Sequence, residues 1–222
     1  GGVIVACAAG HLGRLLQGRA LQAAVLIAAE VLRRAGCDML LTRKVAHIGA
    51  AGIAALLPLF VAKDAALICG MMGMAVIGFA VWYGYLPAIG RKLEVDRGAI
   101  YFPIGLTASA AFFWGSDVVA YQYAIFMLAL PDALAGFFGR RHGVRMLPWG
   151  GGSYVGSGAF FVGAFVLSVL FLTSVYGHAW MNAGIIALCA SAALTLVESV
   201  SGRGSDNLTV PLASGFMASS FF

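Results

Sequence analysis

Residues 130–157 read LPDALAGFFGRRHGVRMLPWGGGSYVGS, and the fold turns on how that stretch is understood. An apolar run ends at Pro131-Asp132, passes through small residues, and gives way to Gly139-Arg140-Arg141-His142-Gly143, Arg145 and a glycine run at 150–152. Pro131 withdraws one donor from a helical ladder and frees a carbonyl. Asp132 beside it lies at the edge of hydrocarbon, where an unpaired charge is costly and usually functional. The glycines after it let backbone N–H groups approach an anion, and the arginines supply countercharge. The stretch therefore reads as the place where a membrane-embedded helix ends and a flexible, basic, phosphate-binding loop begins.

Working outward, the composition agrees. The chain has 222 residues, 61% hydrophobic and 10% charged, with mean hydropathy +0.93. A soluble domain would carry roughly 25% charged residues. An all-α polytopic membrane protein is expected. At about 20 apolar residues per crossing, this length allows roughly seven to nine spans. Apolar segments fall at 1–12, 20–33, 46–62, 65–85, 100–114, 118–136, 157–176, 179–197 and 208–222. With neither an internal repeat nor a low-complexity linker, residues 1–222 are expected to form one bundle of roughly eight transmembrane helices. Cys7, Cys37, Cys69 and Cys189 are scattered without a C-x-x-C pair, which argues against a disulfide framework or a zinc site.

The loops alternate in charge. Those near 33–44, 91–97, 140–145 and 202–206 hold eleven of the fourteen Lys and Arg residues, whereas the turns near 63–64, 115–117 and 177–178 are nearly neutral. The positive-inside rule places the basic set in the cytoplasm. Arg14 and Arg19 then fall on the far side, which implies re-entry or an interfacial helix at the start.

The remaining polar candidates gather on the basic side. Arg43 and His47 are four apart on one helix face, with Lys44 between them, and a histidine inside a span needs a polar partner. Arg97-Gly98 precedes the interfacial Tyr101-Phe102-Pro103. Glu198 closes one apolar span and Asp206-Asn207 opens the next. Carboxylates on two helix ends facing one loop can share a divalent cation, with Asn207 adding a neutral oxygen. Magnesium commonly takes one or two carboxylates plus substrate phosphates and keeps several waters. The plainer readings make Asp206 a helix cap and Glu198 an interfacial charge. They weaken once Asp132, Glu198 and Asp206 fall at one depth on one face. Active-site loops are thus expected near 33–44, 91–97, 137–156 and 199–207.

Four motifs in order resemble those of the CTP-dependent lipid-alcohol kinases (dolichol, phytol and farnesol kinases and the CTP-using diacylglycerol kinase), relatives of the phosphatidate cytidylyltransferases. They are Arg43-Lys44-x-x-His47; Arg97-Gly98-x-x-Tyr101-Phe102-Pro103; Asp132-Ala133-x-Ala135-Gly136-x-x-Gly139-Arg140-x-x-Gly143; and Glu198 ahead of Asp206-Asn207-x-x-x-Pro211. The resemblance covers about residues 43–211. It implies transfer of the γ-phosphoryl group of CTP to a membrane lipid alcohol, with Mg2+ or another divalent cation, at the cytoplasmic face. Asp132 and Asp206 would engage metal-bound phosphates, Glu198 would be a ligand or its support, and Asp132 alternatively takes the alcohol proton. Arg43, Lys44 and His47 would complete the catalytic set. Arg97, Gly136, Gly139, Arg140, Arg141, Gly143, Gly151, Gly152, Ser153 and Asn207 would bind nucleotide. Tyr101 and Phe102 would border the lipid or base. No nucleic-acid partner is expected.

The chain departs from the family at one place. Relatives commonly follow the glycine run with Lys-Ser, an acidic residue and Gly-Ser, whereas here Gly152-Ser153-Tyr154-Val155-Gly156-Ser157 stands there. Neighbouring arginines replacing the lysine, an altered nucleotide site, or related but different chemistry all fit that change. A cytidylyltransferase would attack the α-phosphorus with a lipid phosphate and want an extra basic pocket. A transporter would place its polar groups near the bilayer midplane, whereas here they cluster at one end. The alcohol and the oligomeric state are not legible.

Overall fold

In the computed structural model, the described residues are 27–28, 31, 34–36, 39–83, 97–149, 152–202 and 204–222. The expected spans at 1–12 and 20–33, the turn at Arg14 and Arg19, and most of the loop at 91–97 lie largely outside them.

Every regular element among these residues is helical: α1 (Met39–Leu56), α2 (Lys63–Tyr83), α3 (Arg97–Phe113), α4 (Val118–Ala129), α5 (Pro131–His142), α6 (Tyr154–Ser174), α7 (Trp180–Val200) and α8 (Asp206–Phe221). Leu130 keeps right-handed helical angles between α4 and α5, so the two run on as one rod over Val118–His142. Among the described residues this makes seven rods rather than eight. Four helices, including that rod, are long and apolar enough to cross a membrane. The chain is an integral membrane protein, with fewer full-length crossings described than the apolar segments suggested.

The long rod is the axis of the bundle. Tyr121, Tyr123, Ile125, Met127 and Leu128 on α4 are fully buried, whereas the buried described side chains of α2 are Ala66 and Ala80 alone. Small residues set the other contacts. Ala183, Ala187, Ala190 and Leu194 are buried along one stripe of α7, as expected where lipid gives helices no hydrophobic reason to associate and close backbone approach must do so.

One proline has its lost bond answered by a neighbouring helix. Pro58, in the 3-10 turn that follows α1, cannot donate to the Ala54 carbonyl. The Tyr121 hydroxyl donates to that oxygen at 2.8 Å, and Gln122 Nε2 donates to the next carbonyl, Ala55, at 3.1 Å. Without water, backbone groups must be satisfied inside the protein, and α4 does this for α1. At the far end of the bundle, Lys63 Nζ reaches the Ala111 carbonyl at 2.9 Å, and Asp117 caps α4 by accepting from the Ala120 N–H at 2.9 Å.

The region 137–156 needs correcting. The structure extends helix through Phe137–His142 and begins α6 at Tyr154, so the loop, in its described residues, is 143–149 and 152–153. It folds back as a short hairpin: Met146 pairs with Ser153, the Leu147 N–H donates to Gly152 O at 2.8 Å, and the Tyr154 N–H donates to Arg145 O at 3.1 Å. Gly139 is therefore a helical residue, not a loop residue.

Candidate active site

Asp132 sits in the first turn of α5 with only 6% of its surface exposed. Lys44, on α1, donates from Nζ to Asp132 Oδ2 at 3.0 Å and to the Asp132 carbonyl at 3.2 Å. His47 lies one turn further along α1. Its Nε2 is 3.3 Å from the same Oδ2 and 3.0 Å from Leu128 O. Both partners are acceptors, so Nε2 carries the hydrogen. The Phe102 ring of α3 packs on the imidazole with centroids 4.6 Å apart. Three helices thus fix the orientation of one carboxylate.

Two further carboxyls approach from α7 and α8. Asp206 is within hydrogen-bonding range of Asp132. Glu198 interacts electrostatically with Asp132 and Lys44, and Asp206 with Glu198. Glu198 is 8% exposed and accepts from Ser157 Oγ at 3.1 Å. Asp206 opens α8, outside the four membrane-crossing segments. Burial first, and then the adjacent Asp132 carboxylate, push its carboxyl from the ordinary 3.8 up to about 7. Three acidic groups around one lysine leave a surplus of negative charge in a buried place, which only protons or a cation relieve at modest cost.

Asp206 is held by its neighbours. Gly204, at φ +86°, takes the left-handed turn that leads into α8. Asn207 donates from Nδ2 to the Gly98 carbonyl at 3.0 Å, which ties the start of α3 to Asp206-Asn207. Gly105 lies against the Asn207 carbonyl so closely that no side chain would fit. That carbonyl is the one Pro211 leaves without its helical donor.

The glycines in the third motif make room. A methyl on Gly136 would lie 2.5 Å from Lys44 Cε and 2.6 Å from Nζ, so the missing side chain is the space the ammonium occupies beside Asp132. Gly139 faces Gly156 at the crossing of α5 and α6, and Gly143 lies against Ser153 and the Gly139 carbonyl. Ser153 caps α6 by accepting from the Gly156 N–H at 3.1 Å. Arg140 and Arg141 are exposed in the last turn of α5, where cations complement the helix C-terminus. The Arg141 guanidinium lies 6.0 Å above the Phe137 ring. Gly152 is half-buried in the hairpin.

Gly151 and Arg203 lie outside the described residues, as do the side chains of Arg43 and Arg97. Sequence reasoning overlooked Ser157, Gly105 and Trp149, whose indole N–H donates to the Ser199 carbonyl at 2.8 Å. Ser157 lay within the quoted Gly156-Ser157, but no spacing shows which carboxylate a serine will meet across a bundle.

The oxygens of Asp206, Glu198 and Asn207 suit a hard cation such as Mg2+. Among the described residues no group of three His, Cys, Asp or Glu side chains is set to hold a metal by itself.

The chain is 32% identical to the phytol kinase of Synechocystis sp. over 206 residues, covering 88% of this chain and 85% of that protein. It is 30% identical to the chloroplastic farnesol kinase of Arabidopsis thaliana, covering 83% of this chain and 66% of that one. A probable chloroplastic phytol kinase of Triticum aestivum matches at 36%, over 58% of this chain and 45% of its own length. No family model matches, and no solved structure is similar. At this identity and coverage the chain belongs to the phytol and farnesol kinase family of lipid-alcohol kinases.

Proposed function

We propose that this protein is a CTP-dependent kinase that moves the γ-phosphoryl group to an isoprenoid alcohol at the cytoplasmic membrane surface. The observation that carries the reading is Asp132, buried within a membrane-crossing helix and oriented by Lys44 and His47 beside two further carboxyls.

Asp132 accepts the proton of the alcohol as its oxygen attacks the γ-phosphorus. An O–P bond forms, the bridge between the β- and γ-phosphates breaks, and CDP leaves with the electron pair. Lys44 stays on the carboxylate and offsets charge building on the transferred group, and His47 keeps the carboxylate turned toward the attacking hydroxyl. Phosphoryl transfer asks a protein mainly for such positioning and charge neutralisation. Asp206, Glu198 and Asn207 would hold Mg2+, which when bound offsets the phosphate charge. Phe102 walls the His47 side, where the isoprenoid chain approaches from lipid.

Purified protein in detergent, supplied with Mg2+, phytol, farnesol or longer prenols and doubly labelled CTP, tests this. Label from the γ position in the lipid is the expected result. Label from the α position would mean cytidylyl transfer, and faster turnover with ATP or UTP would replace CTP as donor.

A further inference from the structure

Trp149 is out of character for an apolar anchor. Its side chain is 58% exposed, yet its only polar atom is spent on the Ser199 carbonyl at 2.8 Å. That carbonyl belongs to the last turn of α7, where helix carbonyls lack an intrahelical donor, and it follows Glu198 directly. The same loop-and-helix unit holds Glu198 itself, since Ser157 in the first turn of α6 donates to its carboxylate at 3.1 Å. Two separate ties therefore join consecutive residues of α7 to one unit, one through the hairpin and one through α6. The hairpin also carries Arg145, on the strand whose carbonyl accepts from the Tyr154 N–H, and it follows Arg140 and Arg141. Its one buried apolar anchor among the described residues is Leu147, at 7% exposure.

We infer that Trp149 is a positioning residue: its indole latches the Arg145–Trp149 arm of the hairpin to the Glu198 end of α7 and holds the strand bearing Arg145 where the phosphates of the nucleotide bind. The inference rests on the kinase reading and deepens it. Releasing the latch leaves Ser157 on Glu198 and Lys44 on Asp132, so the chemical step keeps its groups while nucleotide binding loses its basic edge. KM and kcat should separate.

The test compares wild type, Trp149→Phe and Trp149→Ala as full chains in detergent, with Mg-CTP and phytol. Trp149→Phe keeps the ring and loses the donor. Loss of one net hydrogen bond predicts that KM for CTP rises about fivefold while kcat stays within about twofold. The melting temperature is unchanged, trypsin cuts faster after Arg145, and Trp149→Ala raises KM at least as far. A wild-type KM in Trp149→Phe, or a fall in kcat with KM unmoved, overturns the inference and leaves the kinase reading standing. If wild type turns over no nucleotide with any alcohol, the kinase reading fails, and unchanged trypsin cleavage in Trp149→Phe then overturns the latch as well.

Discussion

One oxygen, Asp132 Oδ2, faces both Lys44 Nζ at 3.0 Å and His47 Nε2 at 3.3 Å. Two nitrogens aimed at one buried oxygen fix a rotamer that a lone ion pair would not. Asp132→Asn keeps that shape but removes the proton acceptor, so kcat should fall by about 10²–10⁴ with a normal elution profile in detergent. Full turnover in the folded variant would remove Asp132 from the chemistry. Gly136→Ala probes the same spot from the other side. Its methyl meets only the far end of the flexible Lys44 side chain, so the fold should survive with its melting temperature nearly unchanged while the ammonium is pushed off Asp132. Turnover should drop at least tenfold, which is roughly 1.4 kcal/mol added to the barrier. At this scale much was legible: a charge or imidazole in an apolar run has to find a partner, which marks Lys44, His47 and Asp132. Gly136 was legible as important and misread in kind, because a glycine reads alike whether it frees a backbone or vacates a volume.

Helices in this bundle correct one another's backbones. Pro58 leaves the Ala54 carbonyl without a donor, and the Tyr121 hydroxyl fills the gap from α4. Tyr121→Phe strands that oxygen in a buried place and should cost about 1–3 kcal/mol, read as a lower melting temperature in detergent. Loss of activity with no loss of stability would contradict this account. Gly105→Ala acts between elements as well. Its methyl would strike the Asn207 carbonyl, which is backbone and cannot swing aside. α3 and α8 must separate, and overpacking of this kind costs about 1–3 kcal/mol. Because Asp206 directly precedes Asn207, metal dependence should shift along with stability, visible as a higher Mg2+ concentration for half-maximal turnover. The elements themselves were largely readable from apolar runs and punctuation. The exception was 137–142, where glycines and arginines imitate a loop. Gly139 against Gly156, and the Gly136 space filled by Lys44, show why helix persists there: contacts across the bundle offset the weak intrinsic helix preference of glycine.

Over the whole molecule, chain direction sorts the turns into two ends. Lys44 with Asp132, Ser157 with Glu198, Asn207 with Gly98 and Trp149 with Ser199 mark one end, and Lys63 with Ala111 and His178 with Phe222 mark the other. The described basic residues Lys44, Arg140, Arg141 and Arg145 belong to the first end, so their charge bias, of the kind that orients a membrane protein, and the acidic cluster point to one side of the bilayer. A nucleotide made in the cytoplasm can reach the carboxylates only if that side is cytoplasmic. Single cysteines decide it. In a background with Cys7, Cys37, Cys69 and Cys189 changed to serine, Val144→Cys lies at a 92% exposed position in the hairpin and Met181→Cys at a 79% exposed position near the opposite end. An impermeant maleimide applied to intact bacterial cells should label Met181→Cys at once and Val144→Cys only after permeabilisation. The reverse pattern would turn the carboxylates outward. Cytoplasmic nucleotide would then never meet Asp132, and the basic loops would be serving some purpose other than orientation.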